Sequence, residues 1–191
     1  MKKNDAIKRL VLAALFLALG LVLPFLTGQI PEIGTLLLPM HLPVLVCGLI
    51  CGWKYGMSVG FLLPILRGVL FGMPRLYPAG ISMAFEMAVY GAVIGLLYMR
   101  MPKNTRGVYG ALIPAMLAGR IVWGAVRALC SGVGGSAFTW QLFLAGAFVE
   151  AIPGIILQLV FIPALIAALQ KTGVLNDGRD RYPNAFGAGG F

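Results

Sequence analysis

Long apolar runs alternate with short polar segments along this chain, and the length of each run indicates its structure. A helix that spans a membrane needs about 20 mostly apolar residues. Five of the runs approach or exceed this length, and the second is shorter because Pro39 and a turn at residues 52–56 bound it. The pattern predicts an all-α membrane protein, a six-transmembrane-helix bundle with a short second helix, over residues 7–26, 40–52, 56–73, 77–99, 108–131 and 139–170.

The composition supports this class. Of the 191 residues, 60% are hydrophobic and 11% are charged, whereas soluble domains average about 25% charged residues. These values argue against a soluble enzyme, and against a nucleic-acid partner despite the net charge of +9. The three cysteines have neither a disulfide framework nor a metal-ligand spacing, and no cofactor is predicted.

The distribution of Lys and Arg predicts the orientation of the bundle. Eleven of these residues lie in segments on the side of the N-terminus, whereas the segments on the other side, 27–39, 74–76 and 132–138, hold only Arg75. Because positive charge concentrates in cytoplasmic loops, both termini are expected to be cytoplasmic. Residues 1–173 would form the membrane domain, and residues 174–191, which have turn residues without periodicity, a disordered cytoplasmic tail.

Two loops and a series of glycines add detail. Residues 27–39 are apolar enough to fold back over the bundle, and the glycine-rich residues 131–137 are a second candidate gate. Glycines recur every fourth residue from Gly48 to Gly60. Close packing of the second and third helices is favoured over a ligand role for these glycines, because small residues let helix backbones approach each other.

Five ionisable side chains lie within the apolar runs. Each costs at least about 2.5 kcal/mol at a helix centre, so these side chains are expected to face the bundle interior. Counted at about 1.5 Å per residue from the external helix ends, all lie no deeper than about 16 Å. They are Arg67, Glu86, Arg120, Arg127 and Glu150.

Neighbouring side chains predict a binding pocket around these charges. Trp123 follows Arg120 on one helix face, Tyr90 shares a face with Glu86, and Gly154 and Gln158 share a face with Glu150. A rim is expected from residues near the external helix ends: His41, Tyr77, Trp140 and Gln141. Alternatively, His41 is an interfacial capping residue and the other aromatic residues belong to a membrane belt.

The charges have two interpretations. The arginines and glutamates could pair as buried structural bridges. However, three arginines and two glutamates leave one positive charge over, which a carboxylate or phosphate on an anionic or zwitterionic ligand would neutralise. Catalysis is not predicted, because the chain has no HExxH, GxSxG or Walker motif and its single histidine has no matching serine context.

Three local motifs carry a resemblance to a known family: the hairpin Gly52-Trp53-Lys54-Tyr55-Gly56, the proline-flanked segment Leu38-Pro39-Met40-His41-Leu42-Pro43, and the AxxxA pattern of Ala14 and Ala18 in the first helix. With six helices and both ends inside, residues 1–173 resemble the substrate-binding S component of energy-coupling factor (ECF) vitamin transporters.

The resemblance implies a non-catalytic subunit in the lipid bilayer of the cell membrane. It would capture a vitamin-like molecule from outside and deliver it with a transmembrane T subunit, docked at Ala14 and Ala18, and two ATPase subunits. The substrate is left open among pantothenate, pyridoxine-like, pyrimidine, riboflavin-like and deazapurine compounds. The alternatives are an autonomous small-solute secondary transporter or channel and a non-transport membrane assembly protein.

Overall fold

A computed structural model describes residues 2–27, 38–133, 139 and 151–171 of the chain. Within these ranges it contains six α-helices and no strand. A 3-10 helix, Leu23–Thr27, follows the first α-helix, and a π-helical turn, Leu76–Gly80, precedes the fourth. The α-helices are α1 (Lys2–Val22), α2 (His41–Cys51), α3 (Trp53–Phe71), α4 (Ile81–Arg100), α5 (Thr105–Val133) and α6 (Ile152–Lys171).

The lengths of these helices agree with the pattern of apolar runs. Five are long and apolar enough to cross a membrane, and α2, with 11 residues, is the short second helix that the sequence predicts. The orientation of the termini stays a prediction. The predicted gating loops and tail fall largely outside the described residues, which omit 28–37, 134–138, 140–150 and 172–191.

The start of α4 differs from the predicted one because of a proline, and α6 also has a proline in its first turn. The fourth helix begins at Ile81 instead of near Tyr77, because the residue before Pro78 is restricted to extended backbone and Tyr77 has φ −114° and ψ 136°. Thr139, where the sixth apolar run begins, lies outside any helix. Helix α6 begins at Ile152, which places Pro153 in its first turn, where the missing N–H removes no helical hydrogen bond.

Helices α2, α3 and α4 meet at glycines. An added Cβ on Gly56 would lie 2.7 Å from the Gly48 Cα and 2.7 Å from the Gly91 carbonyl oxygen, both backbone atoms. Any side chain at these positions would therefore separate the helices. The predicted packing role of Gly48 and Gly56 is confirmed, and α4 is a third partner that the sequence did not indicate. Gly52 has another role, since its φ of 95° forms the turn between α2 and α3.

The larger of two buried apolar clusters among the described residues lies among α2, α4, α5 and α6, and the other lies among α1 to α4. Leu45, Ile94, Leu112 and Ile162, one from each helix, are fully buried in one apolar cluster that also contains Tyr90. Helix α1 packs against α2 and α3 and leaves much of its surface open, including Ala14 and Ala18. This arrangement surrounds the first turns of α2 and α4 with helices and keeps one face of α1 available.

Candidate functional site

Glu86 is the centre of a buried polar cluster built from three helices. Its Oε1 lies 3.1 Å from Nη1 of Arg120 on α5 and 3.7 Å from Nε2 of His41 on α2. The Tyr90 hydroxyl, one turn along α4, donates a hydrogen bond of 3.0 Å to the same oxygen. Each of these side chains is at most 6% exposed, so the carboxylate is held away from solvent by three neighbours.

Local sequence explains how these side chains meet. Glu86 and Tyr90 are four residues apart and therefore lie on one face of α4. Gly119, next to Arg120, leaves room for the Tyr90 ring, since an added Cβ there would lie 2.1 Å from Tyr90 Cε1. The His41 ring stands 5.4 Å from the Tyr90 ring at an angle of 59°. A glycine on α5 thus allows α4 to bring its carboxylate to the arginine.

Several buried polar atoms, in this cluster and on α6, have no hydrogen-bond partner within the part of the chain that the structure describes. A buried donor or acceptor left without a partner costs about 1–3 kcal/mol. Here the unpartnered atoms lie on α2, α5 and α6: both ring nitrogens of His41, Nε and Nη2 of Arg120, and the amide Nε2 and Oε1 of Gln158. A concentration of unused donors and acceptors is the arrangement that a polar ligand would complete.

Gln158 was not among the side chains predicted to bind substrate, although the sequence places it on a face of α6 with Gly154. It is 1% exposed, and Ile162, one turn further on the same face, is part of the apolar cluster that contains Tyr90. The available signal was an amide within the otherwise apolar stretch 152–169, since a buried amide needs several hydrogen bonds.

His41 does not have the capping role given as its alternative. Its side chain is 1% exposed, and neither ring nitrogen has a hydrogen-bond partner among the described residues. Its backbone N–H donates to the Leu38 carbonyl at 3.0 Å, which leaves the imidazole to face Glu86. The other interpretation of the charges, that they pair as buried structural bridges, applies to one pair among the described residues, Glu86 and Arg120.

Arg67 lies apart from this cluster. Its Nη1 donates a hydrogen bond of 2.7 Å to the Leu21 carbonyl near the end of α1. Its guanidinium is 5.3 Å from the Phe25 ring centroid and 5.5 Å from that of Phe71. The guanidinium of Arg67 therefore has one carbonyl acceptor and cation–π contacts with two aromatic rings. The expected contact of Arg67 with the other charges is not found among the described residues, and Arg67 links α3 to α1 instead.

The remaining predicted residues lie further along α5 or at the surface. Tyr77 is 50% exposed and its hydroxyl donates to the Cys130 carbonyl. Trp123 and Arg127 are half-buried on α5, and Arg127 forms no ion pair with a described residue. The described residues include no group of three potential metal ligands. Three predicted residues lie outside the described ranges, so their roles stay predictions: Trp140, Gln141 and Glu150.

Comparison with known proteins gives one family. The family model for the substrate-specific component of ECF transporters matches residues 8–169. No curated protein and no solved structure matches the chain. The matched range covers nearly the whole sequence and contains every residue of the cluster around Glu86. The chain therefore belongs to the family of substrate-specific components of ECF transporters.

Proposed function

We propose that this protein captures a small anionic or zwitterionic molecule in the cluster around Glu86 and delivers it across the membrane with T and ATPase partner subunits. The observation that carries the proposal is the set of buried, unpartnered polar atoms on α2, α5 and α6. Membrane helices rarely keep such groups without a function, because lipid cannot hydrogen-bond to them.

The positions of the arginines refine the expected ligand chemistry. Arg67 is used by the Leu21 carbonyl and two aromatic rings, and one nitrogen of Arg120 is used by Glu86. Arg120 keeps two donors, Nε and Nη2, that have no described partner. A planar anionic group is the natural acceptor for two parallel guanidinium donors, which supports a ligand with a carboxylate or a similar group.

The delivery step is proposed from family membership and from the surface of α1. The family implies a substrate and T and ATPase partner subunits, and ATP hydrolysis is assigned to the partners. Ala14 and Ala18 are exposed on a helix whose neighbouring Leu10, Val11 and Leu15 are 60, 62 and 53% exposed. Small residues on an open apolar helix face allow close approach of a partner helix. We assign this face of α1 to the T subunit, with both termini in the cytoplasm.

Ligand binding by the isolated chain tests the proposal against a purely structural role of the charges. The detergent-solubilised protein is titrated with a panel of vitamins and their precursors, and binding is followed by tryptophan fluorescence and by calorimetry. Saturable binding of one compound in the sub-micromolar range is expected. Its affinity should fall at least about tenfold in Arg120→Lys, because lysine has no planar pair of donors.

The matched control is Arg75→Lys, which makes the same substitution at an exposed arginine outside the cluster. Its affinity should equal that of the wild type. Equal affinities in the Arg120 variant and the wild type would show that the ligand binds elsewhere. Absence of binding by every compound, together with no co-purified molecule, would instead favour a membrane assembly protein.

A further inference from the structure

The bonding of Arg120 defines which of its edges a ligand can use. A guanidinium has two edges that can bind a planar anion through two parallel N–H bonds. The end edge is formed by Nη1 and Nη2, and Nη1 is already bound to Glu86 at 3.1 Å. The two unpartnered nitrogens, Nε and Nη2, together form the other, side edge. One complete two-donor edge therefore remains for a ligand.

The charge balance of the cluster limits what that ligand can be. Among the described side chains in contact there, Glu86 and Arg120 cancel each other, so a carboxylate bound to Arg120 would leave these groups with one net negative charge. Uncompensated charge is strongly disfavoured there. His41 lies 3.7 Å from Glu86, is 1% exposed, and has two nitrogens without partners. An imidazole that gains a proton supplies the one positive charge that a monocarboxylate requires.

We propose that the substrate is a monocarboxylate held on the Nε–Nη2 edge of Arg120, and that one proton is taken up with it on His41. This inference rests on the proposed function of the same site. A phosphate group carries a charge of about −1.5 to −2 near neutral pH, so one proton on one imidazole would not balance it. The amide of Gln158, with both Nε2 and Oε1 unpartnered, is available for a polar group elsewhere on the same molecule.

The groups around His41 are consistent with this exchange. Helix α4 contributes the Glu86 carboxylate and the Tyr90 hydroxyl, and α5 contributes the Arg120 guanidinium. The charged residue in the described part of α6, Lys171, is the last residue of that helix. The charged residues of α1 are confined to its first eight positions, and the buried charge of α3, Arg67, is bound to the Leu21 carbonyl.

The test compares carboxylic acids with their neutral counterparts and counts protons. Nicotinate with nicotinamide, biotin with biotinamide and pantothenate with panthenol are titrated calorimetrically into the solubilised full-length protein at pH 8, together with neutral and cationic vitamins. Each titration is repeated in phosphate and in Tris, because the difference in observed heat gives the number of protons taken up. We expect an acid to bind at least about 100-fold more tightly than its neutral counterpart, with about one proton taken up.

The pH dependence gives a second readout that needs no variant. Over the pH range in which binding takes up one proton, coupled uptake raises Kd about tenfold per pH unit. His41→Gln should abolish both the proton uptake and this slope and should weaken binding at pH 8 at least about tenfold. Arg75→Lys, outside the cluster, should keep both.

The possible failures are distinguishable. Equal or tighter binding of a neutral counterpart, or binding of a neutral or cationic vitamin alone, would overturn the carboxylate assignment while the proposed function stands. Binding of an acid with no proton uptake and no pH slope would overturn the role of His41. If no compound binds and no molecule co-purifies, the proposed function is overturned, and this inference with it.

Discussion

The contact between Gly119 and Tyr90 gives the sharpest test of how the fold builds the site, through Gly119→Ala. The new Cβ would stand 2.1 Å from Tyr90 Cε1 and 2.2 Å from Cδ1, whereas ordinary contacts begin at 3.4 Å. The ring must therefore move by about 1.3 Å, the difference between 3.4 and 2.1 Å. Tyr90 is 1% exposed, and packed cores resist such a displacement.

The magnitude follows from two effects. Inserting a methyl group into a packed core costs about 1–3 kcal/mol. The displaced ring also loses the 3.0 Å hydrogen bond from the Tyr90 hydroxyl to Glu86, and a bond to a charged group contributes about 1.5–3 kcal/mol. We expect the free energy of unfolding to fall by about 2.5–6 kcal/mol. Substrate affinity should fall at least about tenfold, because Glu86 loses the group that positions it.

The assay is unfolding of the protein by SDS in mixed micelles, combined with the ligand titration. Gly132→Ala is the matched control, since Gly132 lies in the same helix and no described residue has an atom within 4 Å of an added Cβ. Alanine is favoured over glycine in helices by about 1 kcal/mol, so this control should be neutral or slightly stabilising. A second variant, Tyr90→Leu, removes the ring that the new methyl group would strike.

Two results would refute the reasoning. If Gly119→Ala unfolds and binds like the wild type, the ring does not pack on this glycine. If the effect of Gly119→Ala on stability is unchanged in the Tyr90→Leu background, the clash is not with the ring. Coupling between contacting residues should appear as a non-additivity of about 0.5–3 kcal/mol.

Three further predictions concern helix packing, the buried ion pair and the partner surface. Gly91→Ala should lower the free energy of unfolding by at least about 2 kcal/mol in the SDS assay, since its Cβ would meet α3 backbone at 2.2 Å. Stability equal to that of the Gly132→Ala control would contradict the contact between Gly91 and α3. Glu86→Gln should lower the free energy of unfolding by about 3–5 kcal/mol, because it leaves the Arg120 cation buried without a counter-charge. Wild-type stability of this variant would mean that Arg120 has another anionic partner. Ala14→Trp combined with Ala18→Trp should abolish uptake by the assembled transporter yet leave binding by the isolated chain unchanged, and undiminished uptake would move the docking surface elsewhere.

Much of the fold is predictable because lipid imposes a single rule on every segment. A chain that crosses hydrocarbon must satisfy its backbone internally, so the length of an apolar run indicates a helix. The short α2 follows from the same rule. The start of α4 was harder to predict. Residues 76–80 are apolar and therefore continue the apolar run, but Pro78 prevents Tyr77 from being helical.

Long-range packing was harder to predict than helix existence. The glycines on α2 and α3 suggested close approach, but nothing in their spacing indicated that Gly91 on α4 would join them. Likewise, Gly119 has no local feature that relates it to Tyr90, 29 residues earlier in the numbering. Such contacts depend on how helices are arranged side by side, which a spacing pattern within one helix does not determine.

The candidate site was predictable in part because buried charge is costly. That cost identified Glu86 and Arg120, which the structure brings to 3.1 Å. The same reasoning placed Arg67 with them, yet a buried cation needs acceptors and not necessarily a counter-ion. A carbonyl 46 residues away and two aromatic rings serve Arg67 instead. Counting charges along a sequence therefore overestimates the net charge that a ligand must neutralise.

A count of charged residues along the sequence does not show which hydrogen-bonding atoms already have a partner. Arg120 contributes to the net charge in the same way whether its donors are all used or half are free. In the structure one nitrogen binds Glu86 and two have no described partner, and these two are the donors that we propose for a planar anion. On this proposal, specificity depends on unused directions of hydrogen bonding more than on total charge, since a charge alone attracts many ions while two parallel donors fit few of them.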